Sequence, residues 1–116
     1  MKQVKYFLML MLASAAGAQS PAGNPESGKL LFDKDGCYEC HGHAGQGGRP
    51  GPRIAATSLS IQTLIRYVRR PAGAMPAYTE KVLPDPELRD IYAYLKSLPA
   101  AKPSKDIPLL NQLRDQ

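Results

Sequence analysis

Cysteine is scarce: the 116 residues contain only Cys37 and Cys40. With two residues between them, a disulfide would close a tiny loop and constrain the unfolded chain little, so a disulfide framework is a poor source of stability here. No stretch shows convincing strand alternation, which argues against a sheet. No apolar run is long enough to cross a hydrocarbon core comfortably. The glycine-rich segment 42–52 lacks a GKS or GKT ending and no strand precedes it, so it is not a phosphate loop. A nucleotide-binding fingerprint is absent too, and the chain has no room for a quinone or molybdopterin domain. Basic residues are not interleaved with aromatics in one patch, which excludes nucleic acid as a partner.

What is present begins at the N-terminus. Lys2 and Lys5 form a basic head, residues 6–13 are nearly all apolar, and Ala16-Gly17-Ala18 fits a small-residue cleavage site. Residues 1–18 are therefore expected to be a cleaved export signal, with a retained membrane tether as the rival reading, and the segment has no lipobox-type cysteine. Cleavage takes Lys2 and Lys5 and lowers the formal charge from +5 to +3. It also removes Met1, Met9 and Met11 and leaves Met75 as the single methionine. Localisation is expected to be periplasmic, with no membrane span in the mature form.

After a flexible lead at 19–24, one domain is expected over 25–99. Asn24, Pro25 and Glu26 supply cap, first-turn proline and acid for a first helix bearing Leu31 and Phe32. Gly28 costs that helix roughly 1 kcal/mol against alanine, and a close approach of another helix would explain its presence. A second helix is predicted over 60–70, where Ile61, Leu64, Ile65 and Val68 share one face. Asp85-Pro86-Glu87 predicts a third, with Asp85 as cap and Leu88, Ile91, Tyr92, Leu95 and Leu98 as its stripe. Pro71 and Pro99 end the second and third. Segments 42–52 and 71–84 read as irregular loops, and 100–116 as a polar tail with an apolar cluster at Leu109, Leu110 and Leu113. The fold class is all-α, with longer loops than a three-helix core by itself explains.

Cys37, Cys40 and His41 make a C-x-x-C-H run, in which positions i, i+3 and i+4 share one face of a helical turn. This spacing suits covalent haem, with two thioethers and an axial imidazole. A structural zinc site needs a second pair of ligands, and only His43 is near. A thioredoxin-like motif needs a sheet. Haem iron that shuttles electrons takes a sixth ligand from its other face, and His43 lies too close in sequence to reach over the ring. Lysine is protonated at neutral pH. Met75, in a loop shaped by Gly73 and Pro76, fits best, although a lone methionine is more often core filler.

These pieces together resemble the class I c-type cytochromes, the small single-haem bacterial kind, over nearly the whole mature chain. The resemblance rests on Gly28 to Phe32, Gly36-Cys37-Tyr38-Glu39-Cys40-His41, Gly51-Pro52, Met75-Pro76 and Ile91 to Leu95, in that order. It implies a cytochrome c fold of three main helices plus long loops wrapped around one covalently bound haem c. It further implies that Gly28 and Phe32 meet Ile91 and Tyr94 at a helix crossing, and that the Pro52 carbonyl accepts the other ring N–H of His41. Ile54 would pack on haem. The short interval from His41 to Met75 implies thinner propionate cover and a more exposed haem edge.

Around that frame, Arg49 and Arg53 are candidates to pair with the haem propionates. Arg66, Arg69 and Arg70 read as a solvated helix face or a docking patch for an acidic partner. Two ionised propionates would bring the mature charge to about +1, so docking by net charge is not supported. Tyr67 and Tyr78 are packing residues or hydrogen-bond donors to the Met75 sulfur. The implied function is a periplasmic one-electron carrier, not an enzyme, with His41 and Met75 as axial ligands. Its partners would be redox proteins, a periplasmic dehydrogenase and a terminal oxidase or reductase, and it would act as a monomer or small subunit. The alternatives are a cytochrome subunit or dedicated acceptor of a dehydrogenase, and a haem enzyme or gas sensor with an open sixth position.

Overall fold

The computed structural model describes residues 22–114; the export signal expected at 1–18 and the first half of the lead lie outside them. Among the described residues there is no strand, and the helices run α1 (Pro25–Lys34), α2 (Cys37–His41), α3 (Ile61–Arg69), α4 (Asp85–Ser97) and α5 (Pro108–Arg114), with a 3₁₀ turn at Ser104–Asp106 before α5. No helix among them is long and apolar enough to cross a membrane.

The start of α1 follows from its cap. The Asn24 side chain accepts from the backbone N–H groups of Glu26 and Ser27, and Pro25 occupies the first turn, where no N–H is needed. Ser60 caps α3 in the same way through Thr63 N–H at 3.2 Å. The start of α4 differs from expectation. Pro84 is its N-cap and makes no side-chain bond, while Asp85 is already helical. The Asp85 carboxylate is engaged instead by Arg69 at 2.6 Å.

The core sits where α1 crosses α4. Phe32 is wholly buried and meets Tyr94 edge to face, with ring centroids 5.5 Å apart. Such a pair contributes about 0.5–1.5 kcal/mol beyond its burial. The helices approach so closely because Gly28 has no side chain: a Cβ there would lie 1.9 Å from the Asp90 carbonyl oxygen. The crossing is also tied at its edge, where the Asn24 N–H donates to Asp90 Oδ1 at 2.7 Å.

Helix α4 also holds the irregular segment 42–60 in place. The Ala56 N–H donates to the Leu95 carbonyl at 2.8 Å. The Tyr94 hydroxyl donates to the His43 carbonyl at 2.8 Å, and that of Tyr92 to Leu59 at 2.9 Å. A loop without its own periodicity thus gains a fixed path by leaning on a helix.

The tail, expected only as a polar segment with an apolar cluster, takes a definite form. It forms the 3₁₀ turn and α5, which pack on each other and on no other helix. Leu109, Leu110 and Leu113 are exposed.

Candidate functional site

Helix α2 is a single short element framed by two glycines at positive φ, Gly36 at 74° and Gly42 at 77°. This frame lets the chain turn sharply into and out of the C-x-x-C-H segment. Neither cysteine is in a disulfide, and both are half-buried. Burial, with the charge of Asp35 next in effect, pushes the Cys37 thiol up to about 11. Asp35 itself is nearly enclosed, and its Oδ2 has no hydrogen-bond partner.

His41 is buried, and its ring is oriented by its neighbours. Nδ1 lies 2.8 Å from the Pro52 carbonyl oxygen, a carbonyl that can only accept, so Nδ1 carries the proton and Nε2 keeps its lone pair. Nε2 takes no hydrogen bond from the described residues. Gly51 makes this approach feasible, since a Cβ there would meet the Cys40 carbonyl oxygen at 2.9 Å and His41 Cε1 at 3.1 Å. His43 stays outside, exposed and stacked on Tyr38 at 4.4 Å.

Cys37, Cys40, His41 and Met75 all border one largely apolar cavity of about 820 Å³, and all four also border an adjoining one of about 400 Å³. The larger volume falls at the upper end of ligand pockets, which run from about 300 to 1,000 Å³. Leu64, Val68, Leu83 and Leu95 give it apolar walls, joined by Pro52 and Ile54. Two thiols, an imidazole with a free lone pair, a thioether and an apolar slot fit haem c. They do not fit a cluster of hard metal ligands, and no three His, Cys, Asp or Glu converge as a metal site among the described residues.

Of the other expected site residues, Arg53, Tyr67 and Tyr78 border the cavity and Arg49 does not. Arg53 borders the cavity, but its guanidinium donates to the Pro99 carbonyl at 2.6 Å. Arg49 is exposed and does not border the cavity. Tyr78 borders the cavity and donates its hydroxyl to the Asp35 carbonyl at 2.6 Å rather than to the Met75 sulfur. Tyr67, 46% exposed, is also in the wall and makes no hydrogen bond to Met75. Arg69 is not part of a solvated face: it holds Tyr78 and Asp85, contacts that no local sequence pattern announces.

Comparison with known proteins agrees with this geometry. Residues 23–95 match a family model described as cytochrome C oxidase, cbb3-type, subunit III. The chain belongs to the c-type cytochromes: it is an electron carrier with covalently bound haem c, and Cys37, Cys40 and His41 form the family's C-x-x-C-H arrangement. Among curated proteins it is 35% identical over 98 residues to the 4-cresol dehydrogenase [hydroxylating] cytochrome c subunit of Pseudomonas putida, covering 81% of this chain and 77% of the relative. No solved structure matches.

Proposed function

We propose that this protein is a periplasmic cytochrome that accepts electrons one at a time from a partner dehydrogenase, as the cytochrome subunit or dedicated acceptor of that enzyme. The observation that carries the reading is the convergence of Cys37, Cys40, His41 and Met75 on one apolar cavity. The likeness to a dehydrogenase cytochrome subunit supports the choice of partner over that of a free carrier.

Residues 1–18 act as the export signal and 25–99 as the haem-binding domain. Cys37 and Cys40 hold haem through thioethers. His41 would hold the haem iron through Nε2, with the Pro52 carbonyl fixing its tautomer. Met75 would hold it through its sulfur. When bound, haem supplies ferrous–ferric exchange, and a soft sulfur ligand favours the reduced state. Ile54 and the apolar walls keep water away from the iron and disfavour the more positive oxidised state.

The test is an optical spectrum of protein matured in a periplasm. Haem that stays with the denatured, reduced chain establishes thioether attachment, and a sulfur-to-iron charge-transfer band establishes methionine ligation. Met75→Ala removes the band, lowers the midpoint potential and admits carbon monoxide to the ferrous protein. Rapid, tight carbon monoxide binding to the wild type would instead indicate an open sixth position and a haem enzyme or gas sensor. Migration of the native protein as a free monomer, with no large subunit co-purifying, would overturn the subunit reading.

A further inference from the structure

Arg69 differs from the arginines beside it. Arg66 and Arg70 are exposed, whereas the Arg69 side chain is only 20% exposed and its two terminal nitrogens reach different acceptors. Nη1 donates to the Tyr78 carbonyl at 2.9 Å, and Nη2 to Asp85 Oδ1 at 2.6 Å. These acceptors bracket residues 79–84, and Met75 lies three residues before the first acceptor.

Tyr78 is held at three points. Its N–H donates to the Val68 carbonyl at 3.1 Å, its carbonyl accepts from Arg69, and its hydroxyl donates to the Asp35 carbonyl at 2.6 Å. Asp35 lies two residues before Cys37. Three residues beyond Met75, therefore, the chain is joined at once to α3, to the start of α4 and to the turn that leads into α2. The stretch on either side of Met75 has little else to hold it: Ala72, Gly73, Ala74, Pro76 and Ala77 are small or rigid and exposed.

We propose that Arg69 and Tyr78 form a positioning clamp for Met75. They fix the span between the Met75 segment and α2, and so set how firmly, and how reversibly, the Met75 sulfur is held on the iron. The proposal rests on the reading of Met75 as axial ligand. It explains why arginine stands at 69. A planar fork can bond a neutral carbonyl and a carboxylate together, whereas an ammonium on a flexible stem reaches one of them well.

The experiment uses the haem-loaded protein at neutral pH and measures three quantities: the charge-transfer band, the rate at which imidazole replaces the native ligand in the ferric state, and thermal unfolding. Arg69→Leu should keep its fold and raise the imidazole replacement rate by about tenfold or more, the expected effect of losing charge-assisted hydrogen bonds. Arg69→Lys should fall between Arg69→Leu and wild type. Tyr78→Phe, which loses one tie of three, should raise the rate less than Arg69→Leu. Asn24→Ala removes the α1 cap far from this segment and should lower the melting temperature without changing the replacement rate. If Arg69→Leu and Tyr78→Phe bind imidazole no faster than Asn24→Ala does, while Met75→Ala abolishes the band, the ligand reading stands and the clamp is wrong. A band that survives in Met75→Ala sinks the ligand reading and the clamp with it.

Discussion

Replacing Gly28 with alanine tests whether the α1–α4 crossing depends on the missing side chain. Taken alone, the substitution favours α1 by about 1 kcal/mol, because alanine is the better helix former. In the folded protein the added Cβ meets the neighbouring backbone: Asp90 O at 1.9 Å, Asp90 C at 2.4 Å and Ile91 N at 2.9 Å. Backbone cannot rotate aside as a long side chain can, so the helices must separate by more than an ångström. Gaps of 0.5–1 Å already forfeit about a quarter to a half of the dispersion well, and the contacts at stake are those of Phe32 with Tyr94 and its neighbours. Overpacking of this kind costs about 3 kcal/mol at the upper end of its usual range, leaving a net loss of about 2 kcal/mol. At about 4–8 °C per kcal/mol for a domain this size, the melting temperature should fall by roughly 10 °C. Thermal and denaturant unfolding of the haem-loaded protein, followed by circular dichroism and haem absorbance, supply the measurement. Gly36→Ala is the comparison: its φ is 74° but nothing lies within 4 Å of its Cβ, so it carries only the left-handed strain of about 1–2 kcal/mol. A Gly28→Ala protein as stable as wild type would refute the close-approach argument.

Three further outcomes are expected. Gly51→Ala should press on the Cys40 carbonyl and the His41 ring, costing about 1–3 kcal/mol and shifting the midpoint potential; an unchanged potential and melting curve would show that the ring has room to spare. Burial above all, then charge at Cys37 and Asp35, raises the Tyr78 hydroxyl above its ordinary 10.0. The thiol contribution disappears on thioether formation, but burial and Asp35 remain. Tyr78 thus binds its proton more tightly folded than unfolded, so its contribution is complete below about pH 10 and is lost as pH rises through the raised value. Tyr78→Phe should be less stable than wild type by about 1 kcal/mol at neutral pH, and the gap should close in that alkaline window; a constant gap in denaturant titrations would refute the assignment. Truncation after Ala101 should leave domain stability within about 0.5 kcal/mol, because the 3₁₀ turn and α5 pack on no other helix; a larger loss would mean that the tail braces the core.

Much of the scaffold is written in local chemistry. Asn24-Pro25-Glu26 and the stripes of α3 and α4 announce their helices because caps and 3.6-residue periodicity act over a few residues. Helix α2 was not among the helices expected, although the C-x-x-C-H spacing implied a helical turn there. What the sequence did not disclose are side chains whose partners are distant or lie in loops. Asp85 has the look of a cap, yet Arg69, 16 residues earlier, takes its carboxylate. Arg69 itself sits in a run of basic residues that reads as a wet helix face. Arg49 and Arg53 lie in a segment of glycines and prolines with no periodicity, so nothing local fixes which way either side chain turns. The apolar trio in the tail was visible as composition, but the helix that bears it, standing apart from the core, was not.

The bond from Asn24 to Asp90 joins residues 66 positions apart, and the Phe32–Tyr94 contact spans a similar distance. A pairing so distant in sequence cannot form until nearly all of the domain has emerged into one compartment. For a chain delivered from its N-terminus, α4 is therefore the latch: the Cys37–His41 segment arrives first and waits without its final cover. The crossing that gives the folded domain its strength also sets a timetable, a window in which haem can reach the two thiols before α4 shuts over the loop beside them.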